Sequence, residues 1–178
     1  MSTWSEYCKP VAVLLTICVV VGLLLSGVNA MTAPTIAANE EAAANEAYFA
    51  ALPEADAFTP LECGIDGVTA ALRADNGAGY VITAQSRGYG GMVPAAVAFS
   101  REGEILNVVM MDNDETPGMG SKVADAGFIA NFVGRAAQPL VLEDIDAISG
   151  ATISSRAALN AVNLAIEAFH QITGGEAG

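Results

Sequence analysis

DAISGATISS, at residues 146–155, is the stretch that decides the fold, because it precedes the longest amphipathic pattern outside the N-terminal apolar segment. After it, apolar residues recur at steps of three or four, as on one face of an α-helix: Ala158, Val162, Ala165, Phe169 and Ile172. Ser154 or Ser155 is a natural N-cap for this helix. Gly174 and Gly175 are predicted to end it.

Thr152 lies at the predicted start of this helix. Unpaired backbone N–H groups and the helix dipole favour a phosphate at such a position. Asp146 lies six residues upstream and could help to hold a metal ion or a hydroxyl. Considered by their chemistry alone, the same residues are also typical of an ordinary strand–turn–helix junction.

Period-two alternation upstream of this junction predicts two β-hairpins. Residues 68–73 and 80–85 flank a turn that contains the pair Asn76-Gly77, a strong hairpin signal. Residues 93–99 and 105–111 form the second predicted hairpin, around a short polar turn. Four strands with helices before and after them predict an α+β fold built on an antiparallel sheet.

Two glycine-containing segments follow strands of the predicted sheet. RGYGG, at residues 87–91, has two interpretations. It is a flexible loop, or its missing side chains let the backbone approach a flat ligand. In the second case Tyr89 would stack on the ligand or lie at the edge of the ligand site. ETPGMGSK, at residues 115–122, contains a tight Pro-Gly turn. From its composition alone it is a strand-to-helix connection, leading into a short helix predicted over residues 122–133.

Residues 10–28 form a nearly uncharged apolar run. At about 1.5 Å per residue, a helix over this run nearly spans a ~30 Å hydrocarbon core. Lys9 precedes the run and the next basic residue is Arg73, so positive-inside reasoning places the N-terminus in the cytoplasm. A cleaved signal peptide ending at the small residues 28–30 is the alternative, and both interpretations export the rest of the chain.

The predicted organisation has four parts. Residues 1–9 form a cytoplasmic N-terminus, 10–30 a transmembrane anchor, 31–60 a tether that becomes helical near residue 40, and 61–178 an extracytoplasmic domain. Pro53 is expected to end the helix in the tether.

Composition excludes several functions. Twenty acidic residues against seven scattered basic ones give a net charge of −13, so nucleic-acid binding is not expected. The three cysteines lack the spacing of a metal or redox site, and an iron–sulfur cluster usually needs four protein ligands. The single histidine, His170, is expected at the surface near the end of the last helix. These patterns predict no metal site and no histidine-based catalytic dyad.

The motifs, taken together, resemble a known family. Residues 146–152 match the Asp-x-x-Ser-Gly-Ala-Thr flavinylation motif of the FMN-binding domain family, in which a flavin transferase joins FMN to the threonine through its phosphate. ETPGMG resembles the Glu-Thr-Pro-Gly-Leu-Gly signature of the G subunit of the Rnf complex, an ion-translocating ferredoxin:NAD oxidoreductase. Met119 replaces the leucine, a volume-conserving change. The glycine loop at 87–91 and the order of the motifs agree with that family.

The resemblance implies a cofactor and a set of site residues. Thr152 would carry covalent FMN as a phosphoester, as a modified anchor rather than a catalytic residue. The attachment loop would comprise Ser149, Gly150 and Ala151, with Asp146 as its acidic member. The second signature would line the flavin or its neighbourhood with these residues: Glu115, Thr116, Gly118 and Gly120.

The resemblance also implies a function. The chain would be a membrane-anchored electron-transfer subunit of an Rnf-type complex, and turnover would belong to the whole assembly. Its partners would be the other subunits, the membrane and the maturing flavin transferase. Three alternatives stay open: the C subunit of the sodium-translocating NADH:quinone reductase, a stand-alone exported FMN protein, and an anchored binding domain without a redox role.

Overall fold

The structure, a computed structural model, describes residues 3–176, with side chains described for residues 9–174. It comprises two units, Met1–Ala43 and Ala44–Gly178. The first unit consists of most of a long helix, α1, which runs from Thr3 to Ala51. All described side chains of this unit are exposed.

Helix α1 is long and apolar enough to cross a membrane, judged by length and composition, a test that N-terminal signal sequences also pass. Its exposed apolar side chains include Leu14, Leu23 and Leu25. The helix continues without a break through residues 31–51, the segment predicted to contain a tether. Pro53 follows two residues after its end.

A five-stranded antiparallel sheet forms the centre of the second unit, in the order β1-β2-β3-β4-β5. Its strands are Phe58–Pro60, Val68–Ala74, Tyr80–Arg87, Met92–Phe99 and Ile105–Met110. Both predicted hairpins are confirmed, as β2–β3 and β4–β5, and so is the α+β class. The short edge strand β1 was not predicted.

The connection after β5 is less regular than the sequence pattern predicts. A 3₁₀ turn, Gly120–Ala124, and a short helix α2, Ala126–Ile129, replace the single helix predicted over residues 122–133, so that prediction is wrong. Asp125 separates the two segments in an extended conformation, with φ −69° and ψ 140°. A second 3₁₀ turn, Leu142–Asp144, lies further along the chain.

Helix α3, Thr152–Glu176, begins and ends outside the predicted limits. Ser154 and Ser155 lie inside its first turn, so the prediction that one of them is the N-cap is wrong. Their hydroxyl groups bond to other partners near the start of the helix. The helix also continues through Gly174, which does not adopt the positive φ of a C-terminal glycine cap.

Two apolar layers cover the two faces of the sheet. Helix α3 packs on one face through the predicted residues, all of which are buried: Ala158, Val162, Ala165, Phe169 and Ile172. Ala51, the last residue of α1, and Leu52 after it cover the other face, where they join Val81 and Ala96 in a smaller cluster. Because both faces are covered, β3 and β4 are buried along most of their length.

Phe169 is the central aromatic contact between α3 and the sheet. Its ring stacks on Phe99 with 4.8 Å between centroids and meets Tyr80 edge-on at 5.7 Å. These contacts hold α3 against β3 and β4 and thereby position the start of the helix.

We expect Phe169→Ala to lower the free energy of unfolding by about 3–5 kcal/mol, because it leaves a cavity in this cluster. Urea denaturation of the full chain in detergent, followed by near-ultraviolet circular dichroism, measures the change. The control Val141→Ala removes apolar atoms from a side chain that is 56% exposed, and the expected change is within about 0.5 kcal/mol. Equal stability of the two variants would contradict this account of the core.

Candidate functional site

A cavity of about 480 Å³ lies where the β3–β4 loop, the segment after β5 and the start of α3 meet. Seven of the predicted site residues line it: Tyr89, Glu115, Thr116, Gly120, Gly150, Ala151 and Thr152. Three further residues complete the lining and were not predicted: Met119, Ile153 and Ser154. The fold thus brings all three glycine-containing motifs to one place.

Glu115 connects these motifs through its carboxylate. The side chain is only 4% exposed. One carboxylate oxygen accepts a hydrogen bond from the backbone N–H of Gly90 at 3.0 Å, and the other accepts one from the hydroxyl of Ser154. The carboxylate therefore ties the β3–β4 loop to the first turn of α3.

The pKa of Glu115 reflects this environment. Burial raises it, but hydrogen bonds from Ser154 and from the backbone of Gly90, Tyr89 and Gly91 outweigh burial, so the pKa lies below its ordinary value of 4.5. Glu115 is therefore an ionised carboxylate at neutral pH. Within the described part of the chain, the groups that stabilise its charge are uncharged hydrogen-bond donors.

Glycines around Glu115 allow the backbone to approach it closely. A Cβ atom on Gly120 would lie 2.6 Å from a carboxylate oxygen of Glu115 and 2.7 Å from the Ser154 hydroxyl. A Cβ on Gly90 would overlap the carbonyl oxygen of Asp114, and one on Gly88 would overlap Glu115 itself. The glycine loop therefore packs against the chain's own ETPGMG segment.

Thr152 is the first residue of α3, and its side chain is exposed at the cavity. Gly150 precedes it with φ of 80°, a conformation that favours glycine. The buried hydroxyl of Ser155 accepts a hydrogen bond from Ile148 N–H at 3.0 Å and donates to the Ala151 carbonyl at 3.1 Å. This pair of bonds holds the turn that presents Thr152.

Three predicted site residues do not line the cavity: Asp146, Ser149 and Gly118. Asp146 is exposed, and its backbone N–H donates to the side-chain oxygen of Asn131 at 2.9 Å. Ser149 is exposed in the turn before α3. Gly118 has φ of 75° and donates its N–H to the Ser121 hydroxyl at 2.9 Å, so it shapes the tight turn.

Met119, Ile153 and Ser154 are not predicted as cavity residues from the sequence, for different reasons. Met119 and Ile153 are apolar residues that are 48% and 56% exposed, and no sequence pattern distinguishes them from core residues. The sequence pattern favours Ser154 or Ser155 as a helix cap. Its spacing of two residues from Thr152 could have placed both hydroxyl groups in the first turn of one helix.

Comparison with known proteins identifies the class of this domain. The FMN-binding domain family matches residues 88–167, a range that contains every residue of the cavity lining. Residues 88–167 are therefore similar to an FMN-binding domain.

Sequence similarities that extend over most of the chain indicate a particular type of subunit. The chain is 29% identical to the G subunit of the proton-translocating ferredoxin:NAD(+) oxidoreductase complex of Clostridium ljungdahlii, over 89% of each chain. It is 28% identical to the G subunit of the Na(+)-translocating ferredoxin:NAD(+) oxidoreductase complex of Acetobacterium woodii, over 96% of this chain and 95% of that one. By sequence the chain is thus a homologue of the G subunits of Rnf complexes, and these similarities support an electron-transfer flavoprotein subunit.

The fold is shared with a solved structure. The crystal structure of Shewanella oneidensis NqrC superimposes with a TM-score of 0.51 at 22% identity, covering 74% of each chain. This likeness confirms the architecture of the sheet and its helices.

The lowered pKa of Glu115 predicts a pH-dependent stability. The folded-state pKa lies below the unfolded value, so the stabilisation is complete above about pH 4.5 and is lost as the pH falls through the folded-state pKa. We expect the free energy of unfolding to fall less between about pH 6 and about pH 3 in Glu115→Gln than in the wild type. Urea denaturation at several pH values measures this.

The matched control is Glu143→Gln, which changes an exposed glutamate that does not line the cavity. This variant is expected to keep the wild-type pH profile. A Glu115→Gln profile that follows the wild type at every pH would show that the carboxylate does not contribute to stability.

Proposed function

We propose that the chain is a membrane-anchored electron-transfer subunit of an ion-translocating ferredoxin:NAD oxidoreductase complex, with FMN joined to Thr152 by a phosphoester. The observation that carries the proposal is the position of Thr152. It lies on the wall of one cavity together with the ETPGMG segment and Tyr89, inside the region matched by the FMN-binding family.

The cavity fits the chemistry of FMN. Its volume of about 480 Å³ falls within the range of small-molecule sites, roughly 300–1,000 Å³. Met119 and Ile153 offer apolar surface for a flat ring system, and Tyr89 offers an aromatic rim. Thr152 lies at the N-terminus of a 25-residue helix, where free N–H groups and the helix dipole favour a phosphate.

Attachment requires an accessible threonine hydroxyl, and Thr152 is exposed. In the proposed maturation step, the flavin transferase cleaves the pyrophosphate bond of FAD. The Thr152 oxygen forms a bond to the FMN phosphorus, its proton is released, and AMP leaves. The small residues Gly150 and Ala151 leave room around the hydroxyl, and Ser155 holds the turn.

FMN, when bound, supplies the redox chemistry, and the chain supplies position and environment. The covalent link retains the cofactor on a domain that is proposed to lie outside the cytoplasm. Turnover is assigned to the assembly, in which this subunit passes electrons between redox centres of other subunits. The names of the curated relatives, all subunits of ion-translocating complexes, support this partnership.

Helix α1 is proposed as a retained anchor with its N-terminus in the cytoplasm. Its apolar segment has a fully exposed surface, which supports membrane insertion. Lys9 precedes the apolar segment, and the next basic residue is Arg73, which supports the orientation. The same orientation would place the proposed tether, residues 31–60, and the proposed domain, residues 61–178, outside the cytoplasm.

Intact mass spectrometry tests the attachment. The full chain, co-expressed with a flavin transferase, is expected to gain the mass of one FMN less one water, and Thr152→Ala is expected to gain nothing. The matched control Thr69→Ala removes an exposed threonine hydroxyl that lies outside both the motif and the cavity lining, and it is expected to be modified. A gain on both the wild type and Thr152→Ala would place the flavin on another residue.

Membrane fractionation tests the anchor. The chain is expected to stay in the membrane pellet after alkaline carbonate washing, with a mass that includes residues 10–28, because the apolar helix is retained. A variant with Leu14, Leu23 and Leu25 all changed to lysine is expected to lose this association. A soluble product that starts near residue 31 would instead establish a cleaved signal peptide.

A further inference from the structure

Among the described residues that line the cavity, Glu115 alone has an acidic or basic side chain. It is almost fully buried, and its two carboxylate oxygens accept hydrogen bonds from uncharged donors, the Gly90 N–H and the Ser154 hydroxyl. Lys122, the basic residue nearest to it in sequence, does not line the cavity. The cavity wall, as far as its described residues go, thus contains one formal negative charge and no formal positive charge.

We propose that the buried carboxylate of Glu115 lowers the reduction potential of the FMN held in this cavity, compared with the same cavity wall without a charge. This inference rests on the proposed function. It assigns Glu115 a second role, beyond holding the loop to α3, as a residue that tunes the cofactor.

The physical basis is repulsion between like charges. Two electrons from a partner's redox centre and one proton from solvent convert the neutral oxidised flavin ring into an anionic reduced ring. A fixed negative charge near that ring disfavours the added charge, and the repulsion is stronger in a buried wall than in water. The lowered pKa of Glu115 supports an ionised side chain at neutral pH.

A comparison of variants at Ser154 and Glu115 distinguishes this electrostatic role from a structural one. Ser154→Ala removes a hydrogen bond to Glu115 but keeps the carboxylate, whereas Glu115→Gln removes the charge and keeps a side chain of similar shape. If Glu115 only holds the loop in place, both variants should shift the reduction potential of the flavin in the same direction. If its charge acts on the flavin, Glu115→Gln should raise the reduction potential and Ser154→Ala should not.

The experiment is a spectroelectrochemical titration of the flavin-loaded full chain in detergent, near pH 8. At a fixed potential, Glu115→Gln is expected to increase the ratio of reduced to oxidised flavin by about tenfold or more over the wild type. Ser154→Ala and the exposed-carboxylate control Glu143→Gln are expected not to increase it. An unchanged ratio in Glu115→Gln, or an equal increase in Ser154→Ala, would overturn the inference.

A second measurement uses the wild-type chain and so does not depend on the folding of a variant. Of the described residues in the cavity wall, Glu115 is the single glutamate. With isotope-labelled glutamate, the reduced-minus-oxidised infrared spectrum is expected to show a shifted carboxylate band. No labelled band, or a band showing that a glutamate becomes protonated on reduction, would contradict the inference.

The two proposals fail in different ways. A wild-type chain that gains no flavin mass would contradict the proposed covalent flavoprotein and the tuning role that rests on it. A loaded chain whose potential does not respond to Glu115→Gln would contradict only the tuning role.

Discussion

The hydrogen bonds to the Glu115 carboxylate hold together the three segments that form the cavity: the β3–β4 loop, the segment after β5 and the start of α3. They join Gly90, 25 residues earlier in the chain, to Ser154, 39 residues later. A buried carboxylate is costly unless its oxygens are hydrogen-bonded, so the loop and the helix start must both reach it. This requirement places the loop and the helix start beside each other, where they form walls of the cavity.

The same constraint explains why glycines surround the site. Side chains at Gly90 or Gly120 would collide with the segment that contains Glu115 or with Ser154. The three glycine-containing motifs are therefore parts of one packed unit, although they are separate in the sequence. Sheet and helix α3 supply the rigid frame, through contacts such as Phe169 on Phe99.

The fold alone does not distinguish the complexes in which such a domain occurs, because function depends on the site and its partners. The likeness to NqrC is a likeness of architecture. Sequence similarity over most of the chain to the G subunits favours the ferredoxin:NAD oxidoreductase complexes. The exposed Thr152 and the buried negative charge of Glu115 are the chemical features through which this domain would hold and tune its cofactor.

The sequence by itself determined the hairpins, the buried face of α3, the apolar N-terminal segment and the family. Each is a local or periodic signal: period-two alternation, an Asn-Gly turn, steps of three and four, or a short motif. Only the tertiary structure decided that Ser154 bonds to Glu115 rather than capping α3, and that Met119 and Ile153 join the cavity wall. Those features depend on contacts between residues far apart in the chain, which local patterns do not encode.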